Sequence, residues 1–336
     1  MSALLKIAWA PFAGEGEPSG YSVVTRELRL ALQQAGAEII GPYRWDWDCV
    51  VAVSLPTAWA VTEAGRPDVC WHTMFDMQTL PAAWLPILNR CGLVWVPSQW
   101  CQEMFVESGV TAPIMVAGYG VDQTTFYSIN RRDRAGPLRF LAWGAGLVGR
   151  KNVLLAERAF QAASLPADQA LLEIKVNAGA SADYMLDADR QPKTNVSVHS
   201  ADWTPRELAD WLRSGDVLLY LSGGEGFGLQ PLEGMATGLP VICAHNTGMT
   251  EYLTPETALL VETAGYQVST SYSIRFDMTA LQCRPDFDQT VAHIRWCAEH
   301  REAAYVIGER AAQAAAEWTW LRAGQVALKQ LEARYG

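Results

Sequence analysis

The chain lacks the marks of several large protein classes. Only 18% of its 336 residues are charged, while 50% are hydrophobic. That excludes a disordered or low-complexity polymer and allows a core of ordinary size. A basic excess is also missing: 26 Lys and Arg face 36 Asp and Glu, a net charge of −10, where proteins that live on polyanions usually carry the opposite sign. Long apolar runs are absent. Stretches such as 49–55 are strand-length, far short of the ~20 residues that span a bilayer. Residues 1–10 carry no basic leader, and Lys6 interrupts their apolar run, so a signal peptide is not expected and the expected location is cytoplasmic. The seven Cys form no C-x-x-C pair, and reduced, mostly buried thiols are expected. What the chain does have in excess is tryptophan, 14 in all.

Short apolar runs alternate with longer helical patterns. Residues 6–10, 49–54, 69–74, 93–96 and 114–117 read as buried strands, and a second series follows at 138–143, 173–177, 196–199, 217–221, 240–244 and 258–261. Between the first two strands, Val24, Leu28, Ala31, Leu32 and Ala35 recur at helical spacing, and Gly36 marks a stop. Strands alternating with helices predict an α/β protein with parallel sheets joined by right-handed crossovers. Residues 127–137 are polar, carry Arg131, Arg132 and Arg134, and break at Gly136-Pro137; an interdomain linker with solvated arginines is expected there.

Two segments carry candidate chemistry. Gly144 to Gly149 fits G-x-G-x-x-G after a strand, the dinucleotide fingerprint, with Glu173 as the ribose-binding acid of an NAD-dependent dehydrogenase. The polar break Gly149-Arg150-Lys151-Asn152 falls where the helix of that motif would already run. Arg150 and Lys151 support a different reading, because adjacent cations after a Gly-rich turn neutralise a diphosphate. The richest segment is 218–240. A hydrophobic strand ends at Ser222, then Gly223, Gly224, Gly226 and Gly228 allow a close backbone approach. Pro231 opens a helix whose free N–H groups face the loop. Glu225 and Glu233, with seven residues between them, can accept hydrogen bonds from sugar hydroxyls.

The 218–240 segment resembles the E-x7-E donor motif of GT-B glycosyltransferases, in particular the large retaining family 4. The likeness extends over most of the chain. Residues 141–160 resemble the family's strand, Gly, Arg-Lys and following helix. Residues 202–220 resemble its approach to the donor loop, and 247–252 resemble its Gly-containing turn ending in an acid. In the first half, 94–98 with 117–126 and the Ser19-Gly20-Tyr21 stretch resemble further family motifs. The resemblance implies a GT-B fold, two Rossmann-like domains with parallel sheets facing across a cleft. The acceptor domain would span 1–130, the linker 131–137 and the nucleotide-sugar domain 138–316. A terminal helix in 317–336 would cross back to the first domain.

Position by position, the resemblance implies that Arg150 and Lys151 hold the diphosphate and Glu233 the ribose hydroxyls. Glu225 and the backbone of Phe227, Gly228 and Leu229 would contact the transferred sugar. Gly20 would approach the phosphate from the opposite domain, and His72, at a strand's carboxyl end, would lie near the reaction centre. Read as residues alone, His72 also fits a hydrogen-bonded core-edge histidine. The chain departs from the family pattern at Gln230, where Pro is common, and at His245-Asn246, where an acid is frequent. The resemblance implies a retaining hexosyltransferase that uses a nucleotide-diphosphate sugar, UDP-linked by family frequency. The resemblance implies no further cofactor.

The acceptor is less constrained. Glu15 and Glu17 in the first loop either orient it or belong to a lid. Trp45 and Trp47 either stack on a sugar ring or pack the domain. Asp46-Trp47-Asp48 reads as a loop rather than a metal site, and metal-independent catalysis is expected. Residues 1–130 hold six Lys and Arg against twelve Asp and Glu, which favours a soluble saccharide or small-molecule hydroxyl over an anionic membrane surface. The alternatives kept are transfer to a hydroxymethylated DNA base flipped from its stack, the dehydrogenase, and a sugar-nucleotide binding protein without turnover.

Overall fold

The computed structural model describes residues 4–11, 20–41, 46–56, 66–145, 149–178 and 194–336. Glu15, Glu17 and Trp45, expected on the acceptor side, and the centre of the 144–149 glycine run lie outside the described residues. The chain forms two compact units: Met1–Gly120 with Phe276–Met278 and Trp318–Gly336, and Val121–Arg275 with Thr279–Glu317.

Among the described residues, the first unit holds a six-stranded parallel sheet. Its strands are β1 (Lys6–Pro11), β2 (Glu38–Ile40), β3 (Cys49–Val53), β4 (Val69–His72), β5 (Leu93–Val96) and β6 (Ile114–Val116), in the order β2-β1-β3-β4-β5-β6. All four residues of β4 and of β5 are buried, as a parallel sheet covered on both faces requires. Helix α1 (Gly20–Ala35) turns Val24, Leu28, Ala31 and Leu32 inward. The terminal helix Trp320–Tyr335 packs on α1 so closely that a Cβ on Gly324 would stand 2.5 Å from the Ala31 carbonyl. The unit also holds α2 (Leu85–Leu88) and α3 (Gln99–Glu107), the latter capped by the Ser98 hydroxyl.

The second unit repeats the plan. Strands β7 (Leu138–Trp143), β8 (Ala170–Val176), β9 (Val196–Ser200), β10 (Val217–Tyr220), β11 (Val241–Ala244) and β12 (Leu259–Val261) form a parallel sheet ordered β12-β11-β10-β7-β8-β9. Its helices include α4 (Val153–Ala162), α5 (Pro205–Ser214) and α6 (Leu229–Ala236). Beyond β12 the chain adds an antiparallel pair the periodicity did not announce, β13 (Thr263–Val268) and β14 (Leu281–Pro285), around the short helix α7 (Thr270–Phe276). Helices α8 (Phe287–Glu299) and α9 (Arg301–Ala315) follow.

The arginine cluster at 131–134 is not uniformly solvated. Arg131 is 3% exposed and donates to the carbonyls of Gly215 (3.0 Å), Thr237 (2.6 Å) and Leu212 (3.4 Å). Arg134 donates to those of Ser214 (2.8 Å) and Gly215 (2.9 Å). These carbonyls end α5 and α6, where a helix leaves acceptors unpaired and carries partial negative charge. Burial pushes the Arg131 pKa down to about 10, so it stays charged at neutral pH. Arg131→Met strands these acceptors and should cost about 3 kcal/mol, read as a lower urea midpoint.

Candidate functional site

The site grows from the carboxyl end of β10. After Tyr220 the chain crosses to α6 through Ser222-Gly-Gly-Glu225-Gly-Phe-Gly228, which sequence and packing force to lie flat against its neighbours. Gly228, at φ +88°, is the left-handed residue that opens α6. A Cβ there would also meet Met249 Cγ at 2.7 Å. The turn Thr247–Glu251 presses on the loop from the other side: Gly248 N–H donates to the Glu225 carbonyl at 2.9 Å, and a Cβ on Gly248 would stand 2.2 Å from the Gly226 carbonyl oxygen. Thr247 Oγ1 accepts from Glu225 N–H (2.8 Å), and Asn246 Nδ2 donates to the Ser222 carbonyl (3.1 Å). The departure at His245-Asn246 thus holds the loop by an amide.

At the centre lies Glu225, 6% exposed. Its Oε1 meets Arg150 Nη1 at 2.5 Å and Lys151 Nζ at 2.6 Å. It also accepts from Ser222 Oγ at 2.6 Å and lies 2.7 Å from the Tyr220 hydroxyl. Burial pushes its pKa up, but Arg150 and Lys151 outweigh burial and hold the carboxyl well below the usual range. Lys151 spends its other donors on Tyr220 Oη (2.5 Å) and Gln230 Oε1 (2.7 Å). Gln230, the departure from the family's Pro, therefore supplies an acceptor for the ammonium. Arg150 also donates to the Gly224 carbonyl, and its guanidinium lies 5.9 Å from the Tyr272 ring centroid.

Glu233 sits in the second turn of α6 and is half-buried. Desolvation raises its pKa to about 8, with Lys151 pulling the other way. Phe227 is buried, its ring 5.5 Å from Tyr252, so this residue offers a ligand mainly its backbone, while Leu229 is half-buried. The first N–H groups of α6 have no partner within the helix, and their dipole favours an anion.

The remaining expected residues lie in the first unit. Gly20 opens α1, and among the described residues nothing lies within 4 Å of a Cβ placed on it. His72 is fully buried at the end of β4. Its Nδ1–H donates to the Trp95 carbonyl (3.1 Å), and Nε2 accepts from the Tyr119 hydroxyl (2.9 Å). Both nitrogens are thus engaged inside the unit, and burial pushes the ring's pKa down to about 3, which keeps it neutral. Trp47 donates to Asp68 Oδ2 (3.2 Å) and lies under Arg66. Asp46 pairs with Lys6 Nζ at 3.7 Å, and Asp48 accepts from the Lys6 N–H at 2.7 Å. The two carboxylates of that triplet are each turned to Lys6. Glu173, the ribose acid of the dehydrogenase reading, sits inside β8 bound to Arg139 and Trp211. Sequence reasoning missed Tyr220 and Tyr272, and it read Ser222 only as a strand end and Thr247 only as part of the 247–252 turn; a polar residue ending a strand was the available signal for Tyr220.

Two parallel α/β sheets and a Gly-rich loop running from a central strand into a helix define a GT-B protein. The chain belongs to the family described as family 4 glycosyltransferase in conflict systems, whose model matches residues 100–326. It is 36% identical over 69 residues to the D-inositol 3-phosphate glycosyltransferase of Paenarthrobacter aurescens, covering 20% of this chain and 17% of that protein. It is 40% identical over 57 residues to the lipopolysaccharide core biosynthesis mannosyltransferase LpsB of Rhizobium meliloti, covering 16% of each. The likeness thus spans well under two thirds of either relative's length. Among solved structures, HepE of Anabaena in complex with UDP and glucose superposes with a TM-score of 0.73 at 16% identity, over 98% of this chain and 100% of that one. The sucrose-phosphate synthase of Thermosynechococcus elongatus gives 0.68 at 16% identity, over 98% of each. No helix among the described residues is long and apolar enough to cross a membrane.

Proposed function

We propose that the chain is a retaining glycosyltransferase that moves a hexose from a UDP-linked donor to a hydroxyl of a soluble acceptor, a saccharide or small molecule. The observation that carries this reading is the convergence of Arg150 and Lys151 on Glu225 inside the loop that opens α6. Cations from the turn before α4, brought to a carboxylate and a helix N-terminus on the loop that opens α6, suit a ligand that is anionic at one end and hydroxylated at the other. The bound UDP and glucose of HepE support the same class of donor.

In this reading the diphosphate draws Arg150 and Lys151 away from Glu225. The freed carboxylate and the backbone at 227–229 accept and donate to the hexose, and Glu233 takes the ribose diol. As the anomeric C–O bond breaks, charge grows on the leaving phosphate, where fixed positive potential lowers the barrier. The acceptor oxygen bonds to the anomeric carbon on the face the phosphate leaves, and a phosphate oxygen takes its proton. Gly20 is assigned to the donor phosphate and His72 to the reaction centre, and Glu15, Glu17, Trp45 and Trp47 to the acceptor. His72 orients Tyr119 through a fixed neutral tautomer rather than titrating.

The test is a thermal-shift panel of UDP-glucose, GDP-mannose, ADP-glucose and NADH, followed by acceptor screening with the winner. A shift with NADH and none with a nucleotide sugar would sink the proposal. Glu233 adds a pH signature. A ribose diol donates to the carboxylate, not to the acid, so binding lowers a pKa that stands near 8 in the free protein. Donor affinity should rise with pH between about 6 and 8, by up to about tenfold per unit. Glu233→Gln should abolish that slope, measured by titration calorimetry.

A further inference from the structure

The β13–α7–β14 segment lies beyond the matching donor motifs, yet it touches the donor loop at two places. Cys283 N–H donates to the Gly223 carbonyl at 2.7 Å, while Gly223 N–H donates to the Arg150 carbonyl at 2.8 Å. Gly223 thus ties β14 to the turn before α4 that carries Arg150 and Lys151. The second contact is the Tyr272 ring of α7 beside the Arg150 guanidinium.

Between these contacts sits Gln282, 4% exposed. The bare face of Gly223 makes room for it: a Cβ on Gly223 would stand 3.3 Å from both Cβ and Cδ of Gln282. Among the described residues its Oε1 is buried without a hydrogen-bond partner. A buried acceptor left unmatched costs its desolvation, and an apolar side chain of the same size would fill the space without that cost. An amide kept against a glycine of the donor loop has a use there. Gly223 is two residues from Glu225, on the arm of the loop assigned to the hexose rather than to the ribose.

We propose that the 263–285 segment is a wall of the donor site and that Gln282 Oε1 accepts a hydrogen bond from a hydroxyl of the transferred sugar, which makes it a specificity-determining residue. This rests on the nucleotide-sugar reading above. The contact belongs to the sugar and not to the nucleotide, so the two parts of the donor separate the roles. Gln282→Met keeps the volume and removes the acceptor.

The experiment compares wild type, Gln282→Met and Gln282→Asn by calorimetry. Each is titrated with the panel's best nucleotide sugar, among UDP-glucose, GDP-mannose and ADP-glucose, and with the parent diphosphate alone. Gln282→Met should bind the nucleotide sugar about tenfold more weakly. It should bind the diphosphate as wild type does and melt no lower. Gln282→Asn should fall between. Equal weakening toward both ligands, or none toward either, overturns the proposal while leaving the nucleotide-sugar reading intact. If the wild type binds none of the panel, the reading fails and this inference falls with it.

Discussion

Arg150→Ala should lower kcat/KM for transfer by a hundred- to thousandfold, about 3–4 kcal/mol of barrier. In the free protein the guanidinium is held inside its own unit by Glu225 Oε1 at 2.5 Å, Ser222 Oγ at 3.3 Å, the Gly224 carbonyl and the Tyr272 ring. In the proposed reading the donor diphosphate takes the place of Glu225 on this guanidinium before the bond breaks, so the cation already faces the leaving phosphate when charge develops there, and preorganisation of this kind is what makes such donors effective. Arg150→Lys tests the geometry. A lysine keeps the charge but loses the planar fork that can face two phosphate oxygens, so it should recover only part of the rate. Steady-state kinetics with donor varied at saturating acceptor checks both variants. Near-normal turnover in Arg150→Ala would remove Arg150 from the phosphate role.

Most of the alternation behind this site was legible. The strands around His72 and Trp143 are buried on both faces, and nearly continuous apolar runs announce such strands. The glycines at 223–228 and the paired acids at 225 and 233 were visible as spacing. What spacing could not give was who partners whom. Arg131 reads as a solvated linker cation because its acceptors, Gly215 and Thr237, lie 84 and 106 residues away. Arg150 and Lys151 read as open cations because the Glu225 that meets both lies far downstream, 74 residues beyond Lys151. His72 shows the same limit. A strand-end histidine marks a place in the fold, but whether its nitrogens face a ligand or Trp95 and Tyr119 depends on neighbouring strands. The β13–α7–β14 segment was missed because its antiparallel pair carries a register irregularity between Thr263 and Tyr266 and mostly exposed residues, which erase an apolar period.

Glu225→Gln should separate binding from catalysis more sharply than any other single change. In the wild type one carboxylate oxygen is shared by Arg150 and Lys151. A diphosphate must compete with it for the same donors. Gln removes the competing charge, so UDP alone should bind more tightly, while transfer falls because the hexose loses its carboxylate partner. The free protein should lose about 3 kcal/mol, since two largely buried cations then face each other without an anion. The pH dependence has a definite sign. Arg150 and Lys151 hold the folded-state pKa of Glu225 below its ordinary value, so its stabilising contribution is present above about pH 4.5 and lost as pH falls toward the folded value. The gap between wild-type and variant urea midpoints should therefore stay constant from about pH 5 to 8 and close in acid. Glu233 runs the other way. Its raised pKa favours the folded state most below about pH 4.5, and that contribution fades as pH rises through about 8. Two carboxylates at opposite ends of one motif thus titrate in opposite senses. If UDP affinity drops in Glu225→Gln, the competition between carboxylate and diphosphate does not operate, and Glu225 acts instead as a prop that holds the cations in place.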